Sequence, residues 1–222
     1  MRQMKITFDV GDIDDMLFLI LQKNEHLQTF WSIDKYYEED LIKFIQDNYK
    51  GGIFIDVGAC IGNHTLAFSK IADKVVSFEP HKQSYWHTLN NIYLNNLENV
   101  MLFNLALGNK TGLEFLHHDN MSAGGGTISK EGKEIVPIHK LDEFCFSGVT
   151  LIKIDVQRYE MEVLKGSIET IKKNLPDIVA ECDEEEQKTT ILTFLQAIDN
   201  KYVIYPEKFN NSPTYLFTRR LK

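Results

Sequence analysis

The alternation of apolar runs with amphipathic segments from residue 53 onward constrains the fold of this chain more than any other feature. The apolar runs that we interpret as strands are IFIDV, KVVSFE, VMLFNLAL, TLIKIDV and DIVAEC. Between them lie segments with helical periodicity, among them QSYWHTLNNIYLNN and EMEVLKGSIETIKKN. Strands that are apolar along nearly their whole length are typical of a parallel sheet covered by helices on both faces. The sequence therefore predicts an α/β fold with a mostly parallel sheet.

Two later segments depart from this alternation. After a helical stretch, EEQKTTILTFLQAID, the strand-like runs KYVIYP and TYLFTRR are separated by a short polar turn, so an antiparallel hairpin should complete the sheet. Residues 112–137 contain two weak strands around a Gly-rich loop. We interpret this segment as a hairpin with a flexible tip, or alternatively as a flap over a ligand.

Residues 1–50 precede the alternating core. KITFDV alternates like a short strand, DIDDMLFLILQKN begins with capping acids before an apolar face, and YYEEDLIKFIQDNY has a helical apolar face that ends at two glycines. The sequence therefore predicts a helical N-terminal cap over residues 1–50, packed on a core domain over residues 51–222.

Composition and charge argue against several classes of function. The formal net charge is −8, whereas proteins that bind a nucleic-acid backbone usually display a basic face. No segment approaches the roughly 20 apolar residues of a membrane-spanning helix. The three cysteines, Cys60, Cys145 and Cys182, lack the spacing of a zinc site. We therefore expect a reduced, cytoplasmic protein that neither spans a membrane nor acts on nucleic acid.

The stretch IFIDVGACIGNH, residues 53–64, marks the expected ligand site. Asp56 ends the first core strand, and Glu79 ends the second at about 20 residues after Gly58, the spacing at which an acid binds ribose hydroxyls. Cys60 stands where a dinucleotide site needs its middle glycine, and no P-loop lysine follows Gly62. Asp56 would repel a phosphate but attract an ammonium group. A ligand with a ribose, an amino-acid group and no phosphate is S-adenosylmethionine.

Several motifs, taken together and in order, resemble the FkbM family of S-adenosylmethionine-dependent methyltransferases. They are IDVGACIGNHTLAFSK, VVSFEP, LFNLALGN, LIKIDVQRYEMEVLKG and LPDIVAEC, within residues 36–182. The resemblance implies a class I, Rossmann-like domain with a seven-stranded, mostly parallel sheet and helices on both faces. It also implies methyl transfer to hydroxyls, often on sugars or glycosylated natural products.

The resemblance assigns cofactor contacts to the turns that follow the strands. These residues are Asp56, Gly58, Gly62, Asn63, His64, Glu79, Asn104, Leu105, Ala106 and Asp155. The resemblance implies that Asp56, Gly58 and Gly62 contact the methionine portion of the cofactor and that Glu79 contacts the ribose. Residues 104–106 would flank the adenine, and Asp155 would lie beside the methyl group. Asn63 and His64 begin the next helix, whose N-terminus favours a carboxylate, although His64 is equally suited to packing.

Two positions depart from the family pattern. The family usually reads DVGANIG, whereas this chain has Cys60 in place of the asparagine. The family usually reads KIDVEG-x-E, whereas this chain has Gln157 and Arg158. The first change removes an amide near the cofactor, and the second removes a carboxylate and adds a cation near the expected acceptor.

Asp155 and Glu160 are the candidate catalytic residues. A hydroxyl is a weak nucleophile at neutral pH, so a positioned base should assist its attack, and Asp155 ends a strand at the ligand-binding edge. Glu160 is either a second catalytic acid or an ordinary acid in the first turn of a helix. Lys153 points to the same side of the sheet as Asp155 and is expected to form a structural ion pair.

The expected partner is therefore a carbohydrate or small-molecule hydroxyl acceptor, with association with glycan-assembly enzymes a further expectation. Two alternatives remain open. Asp155, Glu181 and Asp183 would ligate a divalent metal if the enzyme were a catechol-type methyltransferase, with Asp183 otherwise suited to capping a helix. The changes at Gln157 and Arg158 would instead fit a cofactor-binding module without catalysis.

Overall fold

The computed structural model describes residues 8–13, 15–21, 35–118, 126–207, 209 and 213–220. In chain order the elements are β1 (Phe8–Ile13), β2 (Met16–Leu21), α1 (Glu39–Asn48), β3 (Ile53–Val57), α2 (Asn63–Ser69), β4 (Lys74–Phe78), α3 (Lys82–Leu94), β5 (Val100–Phe103), β6 (Ala106–Leu107), β7 (Gly112–His118), β8 (Gly126–Ile128), β9 (Glu134–His139), a 3-10 helix (Leu141–Phe144), β10 (Val149–Ile154), α4 (Glu160–Lys165), α5 (Ile168–Asn174), β11 (Asp177–Glu181), α6 (Glu185–Ile198), β12 (Val203–Ile204) and β13 (Thr214–Thr218).

A seven-stranded sheet forms the centre of the molecule, in the order β12-β13-β11-β10-β3-β4-β5. The five strands from β11 to β5 are parallel, while β13 lies antiparallel to both β11 and β12. This confirms the predicted α/β sheet and its antiparallel C-terminal hairpin. No helix among the described residues is long and apolar enough to cross a membrane.

The two faces of the sheet carry separate apolar clusters. Along β3, Phe54 belongs to the cluster beneath α1 and α2, and Ile55 to the cluster beneath α4, α5 and α6. Successive strand residues point to opposite faces, so the continuous apolar strands fill both clusters at once. The same alternation directs Asp56 to the face that α2 covers.

The N-terminal segment differs from the prediction. The helix expected over residues 12–24 is wrong where the structure describes it, because β1 and β2 pair as an antiparallel hairpin with Ile13 opposite Met16. The run Met16–Leu21 is wholly apolar, so it lacks the polar face of a surface helix. As a strand it buries Met16 and Phe18 on one face.

The second helix expected in the N-terminal segment is confirmed as α1, and described residues of this segment contact the core. Phe18 contacts Tyr36 edge-on, with ring centroids 5.7 Å apart. The side-chain amide of Asn95, at the end of α3, accepts a hydrogen bond from the Leu17 N–H and donates one to the Leu17 carbonyl. Residues 1–7 and 22–34 of the predicted cap lie outside the described residues.

A second, four-stranded sheet interrupts the core between β5 and β10, in the order β6-β9-β7-β8. The run VMLFNLAL, predicted as one strand, divides into β5 in the main sheet and β6 in this one. Strand β7 pairs antiparallel with both β8 and β9, so the predicted hairpin is part of a larger sheet. The Gly-rich tip, residues 119–125, lies outside the described residues.

Candidate active site

The carboxyl ends of β3, β4 and β10 meet where the strand order reverses. β4 and β5 lie on one side of β3, and β10 and β11 lie on the other. Ligands of open α/β sheets bind at such a reversal. A cleft of about 630 Å3, its open mouth included, lies there between the main sheet and strands β7 and β8.

The turn after β3 approaches the loop after β10 so closely that only glycine fits at residue 58. Gly58 has a φ of 82°, and a Cβ built on it would lie 1.9 Å from the Asp155 carbonyl oxygen. Gly62 also has a positive φ, 95°, at the start of α2. The glycine pattern therefore shapes the backbone of the cleft floor, where Gly58 itself is exposed to a ligand.

Glu79 lines the cleft and is fixed by two backbone groups. Its carboxylate oxygens accept hydrogen bonds from the N–H groups of Cys60, at 2.7 Å, and His81, at 2.8 Å. Burial raises the pKa of Glu79 to about 8, although these hydrogen bonds lower it. Each oxygen retains a second lone pair, so the side chain is held ready to accept hydrogen bonds from a diol.

Asp56 does not line the cleft, contrary to the expectation that it contacts the cofactor. Its side chain is fully buried, and its carboxylate accepts a 2.6 Å hydrogen bond from the Thr65 hydroxyl. The other oxygen lies 3.5 Å from the Lys153 ammonium. Asp56 therefore orients Lys153, which in turn lies 3.4 Å from Asp155 at the cleft.

Lys153 is the centre of this buried charge network. Burial lowers the pKa of Lys153, but the charges of Asp155, Asp56 and Glu38 outweigh burial and raise it above its ordinary value. Lys153 therefore remains an ammonium beside Asp155. Its Nζ also lies 3.4 Å from the Gly58 carbonyl oxygen, which ties the two cleft loops together.

Asn63 and His64 face the N-terminal cap rather than the cleft. The Asn63 amide accepts a hydrogen bond from the Tyr37 N–H and donates one to the Tyr37 carbonyl. His64 Nε2 lies 3.1 Å from a carboxylate oxygen of Glu38, within ion-pair distance but without hydrogen-bond geometry. Both predicted contacts with the cofactor carboxylate are thus replaced by contacts that dock the cap on α2.

Glu38, which precedes α1, contacts the core through both carboxylate oxygens. It is buried, and its second oxygen accepts a 2.7 Å hydrogen bond from the Thr214 hydroxyl of β13. Burial raises the pKa of Glu38, but the contacts with His64, Thr214 and Lys153 outweigh burial and lower it to about 2. The cap therefore carries a stable negative charge next to α2.

Residues 104–106, expected beside the adenine, follow β5 next to the cleft. Leu105 and Ala106 line the cleft directly. The Asn104 amide instead donates hydrogen bonds to the carbonyls of Glu79, at 2.9 Å, and Pro80, at 3.0 Å. Asn104 thus joins the end of β5 to the end of β4 and fixes the backbone of Glu79.

Asp155 is the carboxylate that the structure presents to the cleft. Its side chain is 28% exposed, and one oxygen lies 3.4 Å from Lys153 Nζ. The other oxygen accepts a long, 3.4 Å hydrogen bond from the amide of Gln157. Asp155 is therefore oriented by side chains on both oxygens while remaining accessible.

Glu160, the second candidate catalytic residue, does not reach the cleft. It is 1% exposed, and one oxygen accepts hydrogen bonds from the N–H groups of Val156 and Arg158. The other accepts a 2.7 Å hydrogen bond from the Gln187 amide. Glu160 thus shapes the loop after β10, in which Gln157 and Arg158 have positive φ angles of 54° and 72°.

The proposed metal ligands do not converge. Asp183 lies 3.4 Å from the Arg158 guanidinium, and Glu181 accepts a hydrogen bond from Gln157. Within the described part of the chain, no three His, Cys, Asp or Glu side chains are grouped so that they could hold a metal ion. The metal-dependent alternative therefore has no arrangement of ligands to support it.

Several residues of the site were not predicted from the sequence. Leu116 and Ile128 of the inserted sheet, and Tyr159 in the loop after β10, line the cleft. The hydroxyl of Thr127, on β8, donates a 2.8 Å hydrogen bond to the Gln157 carbonyl and thereby joins the inserted sheet to the loop after β10. An apolar residue on a short strand carries no local sign that it faces a ligand.

Comparisons with known proteins agree with this geometry. Residues 56–202 match the family model described as the methyltransferase FkbM domain. Among curated proteins no match was found.

Solved structures share the fold at low sequence identity. A methyltransferase FkbM from Methylobacillus flagellatus KT is 16% identical, with a TM-score of 0.57 over 75% of this chain and 43% of its own. SMU.1697c from Streptococcus mutans, solved in complex with SAH, is 16% identical, with a TM-score of 0.52 over 80% of this chain and 93% of its own. The Pyrococcus abyssi tRNA (uracil-54, C5)-methyltransferase, 12% identical, has a TM-score of 0.54 over 95% of this chain and 44% of its own.

The family model covers most of the chain and begins at Asp56, the end of the first core strand. The cleft suits the cofactor of such enzymes, because Glu79, fixed by two backbone N–H groups, offers a hydrogen-bond acceptor beside Gly58 in the cleft lining. The chain belongs to the FkbM family of methyltransferases, and its cofactor is S-adenosylmethionine.

Proposed function

We propose that this chain is an O-methyltransferase that methylates a hydroxyl of a sugar, a glycan or a glycosylated small molecule. The observation that carries the proposal is the accessible carboxylate of Asp155, held at the cleft by Lys153 and Gln157. A carboxylate so placed suits an acceptor that must lose a proton. The bound cofactor would supply an activated methyl group with a good leaving group.

The chain itself contributes position and charge. Glu79 binds the ribose hydroxyls, and Leu105 and Ala106 flank the adenine. Asp155 accepts a hydrogen bond from the acceptor hydroxyl, aligns its oxygen for in-line attack and takes its proton. Lys153, buried behind Asp155, holds that carboxylate in place.

The charges near the cleft favour this class of acceptor over RNA. Asp155, Glu181 and Asp183 end neighbouring strands, and the net charge of the chain is −8, so a phosphate backbone would be repelled. The pairing of Asp183 with Arg158 weighs against a catechol-type metal site.

We further propose that residues 1–50 act as a cap on the domain formed by residues 51–222, and that the protein is cytoplasmic. The buried contacts of Asn63 and Glu38 support the cap. No disulfide joins the three cysteines, all of which lie among the described residues, and this is in keeping with a reducing compartment. Association with glycan-assembly enzymes would place the acceptor within reach.

The test is transfer of an isotope-labelled methyl group from S-adenosylmethionine to a panel of acceptors. The panel holds neutral and acidic glycans, glycosylated small molecules, a catechol and total RNA. We expect label only in the glycan or glycoside fraction, with fragmentation placing it on oxygen and with no effect of EDTA. Asp155→Asn serves as the matched control and should lose the transfer.

Three outcomes would contradict the proposal. Label in RNA would make the chain a nucleic-acid methyltransferase, and EDTA-sensitive label in the catechol would restore the metal-dependent alternative. S-adenosylmethionine binding without transfer to any member of the panel would favour a cofactor-binding module.

A further inference from the structure

Asp155 and Glu181 end adjacent parallel strands in the same register. Ile154 of β10 pairs with Ala180 of β11, so the residue after each, Asp155 and Glu181, is carried to the same edge of the sheet. Two carboxylates placed side by side repel each other, and this repulsion favours the binding of one proton by the pair. A side-chain amide lies between the two groups.

Gln157 bridges the two carboxyl groups. Its Nε2 lies 3.1 Å from Glu181 Oε2 and 3.4 Å from Asp155 Oδ1. Its backbone has a left-handed φ of 54°, and its carbonyl is fixed by the Thr127 hydroxyl at 2.8 Å. The amide is therefore held between the two strand ends by the loop and by the inserted sheet.

We propose that Asp155, Gln157 and Glu181 form one carboxyl–amide–carboxyl unit that holds a single proton, with Glu181 and Gln157 as positioning residues that set the charge presented by Asp155. The Lys153 ammonium, 3.4 Å from Asp155 Oδ2, favours the negative charge on Asp155. The proton of the unit therefore resides on Glu181. This inference deepens the proposed function and rests on it for the placement of Asp155 beside the reacting groups.

The surroundings of Glu181 support this assignment. Burial, together with the negative charges of Asp155 and Asp183, raises the pKa of Glu181 to about 8. Lys153 lowers it. The groups around the Glu181 carboxyl are Asp155 and Lys153 from β10, Gln157 from the following loop and Asp183 beyond β11. Arg158 pairs with Asp183, the Gln187 amide of α6 donates to the backbone carbonyl of Glu181, and Thr214 of β13 lies opposite Glu181 in the sheet.

The unit has a consequence for the cofactor. The unit gains one negative charge when Glu181 loses its proton, which its raised pKa delays to alkaline pH. S-adenosylmethionine has a sulfonium charge that S-adenosylhomocysteine lacks. Deprotonation of Glu181 should therefore raise the affinity for S-adenosylmethionine relative to that for S-adenosylhomocysteine.

The first test is a titration of the glutamate carboxyl carbons by 13C NMR on the whole protein, with Glu181→Gln identifying the signal. We expect Glu181 to titrate near pH 8, well above the ordinary value of 4.5. Asp155→Asn should lower that midpoint more than the matched control Asp183→Asn, because Asp155 is the larger contributor. A midpoint near 4.5, or equal shifts in the two variants, would overturn the proposal.

The second test is calorimetric binding of S-adenosylmethionine and S-adenosylhomocysteine between pH 6.5 and 9.5. The affinity ratio should rise by about tenfold across this range in the wild type, from the attraction of one added charge at a partly screened distance. The same rise should occur in Glu186→Gln, an exposed control, and be absent in Glu181→Gln. Titration of the ligands themselves should change the affinity ratio equally in all three proteins. The difference between Glu181→Gln and the other two proteins therefore reports on Glu181 alone.

An identical pH dependence in the wild type and Glu181→Gln would overturn the proposal. Neither measurement uses an acceptor. The unit can therefore be confirmed even if no glycan is methylated, and it can fail even if one is.

Discussion

The turn after β3 and the loop after β10 meet at the same cleft but build it in different ways. In the first, residues 56–64, the side chains of Asp56, Asn63 and His64 point away from the cleft, and glycine backbone forms its floor. In the second, residues 155–160, side chains do the positioning, with Asp155 exposed and Glu160 buried beneath it. The comparison teaches that the acid and amide side chains of the first turn hold the scaffold together, whereas its glycine allows the backbone to approach the loop after β10.

The largest effect should come from Asp155, the side chain that the second loop presents to the cleft. Asp155→Asn should lower the rate of methyl transfer by about 10²–10⁴-fold, the usual contribution of a general base. Glu160→Gln should cost far less in rate, because Glu160 contacts only the loop and Gln187. Single-turnover assays at saturating cofactor and acceptor measure both. A dead Glu160→Gln beside an active Asp155→Asn would reverse the assignment.

The next effect tests the backbone role of the first turn. Gly58→Ala should lower the free energy of unfolding by roughly 2–4 kcal/mol, from the strained φ and the clash with the Asp155 carbonyl. Gly148→Ala is the control, because Gly148 has a similar φ of 86° but open space around it. Its cost should be about 1 kcal/mol. Urea unfolding measures both, and equal losses would mean that the close approach to Asp155 is not what requires glycine.

A smaller effect is expected where the first turn holds a side chain at the cleft. Glu79→Gln should weaken S-adenosylmethionine binding by about 1–3 kcal/mol, because its amide nitrogen cannot accept and leaves a buried donor without a partner. The comparison is Asp142→Asn, whose carboxylate caps α5 away from the cleft and should leave the affinity as it is. Unchanged calorimetric affinity of Glu79→Gln would remove Glu79 from the ribose site.

The smallest effect should come from Asn63, which docks the cap. Asn63→Ala removes two hydrogen bonds to Tyr37 and should lower the free energy of unfolding by about 1–2 kcal/mol. The loss in S-adenosylmethionine affinity should be smaller than that of Glu79→Gln, since Asn63 does not line the cleft. Calorimetry showing the opposite order would return Asn63 to the cofactor site, as the sequence suggested.

The sequence by itself determined the central sheet, its antiparallel ending and the edge at which the ligand binds. Continuous apolar strands, helical periodicity and the acids at the ends of IFIDV, KVVSFE and TLIKIDV are local signals, and each depends on residues close together in the chain. The same local signals failed for Met16–Leu21, where an apolar run fits a buried strand as well as a helix. Contact with Tyr36 and Asn95 decided between them.

The roles of individual side chains were decided only by the tertiary structure. Asp56 does not face the cleft because one of its oxygens accepts a hydrogen bond from Thr65 and the other pairs with Lys153. Whether Glu160 is catalytic depends on Gln187, far along the chain on α6. A buried polar group must find a partner wherever the fold provides one, and sequence spacing does not reveal which partner is nearest. The strand pattern fixed the position of the site, and the packing around it selected the residues that face the cleft.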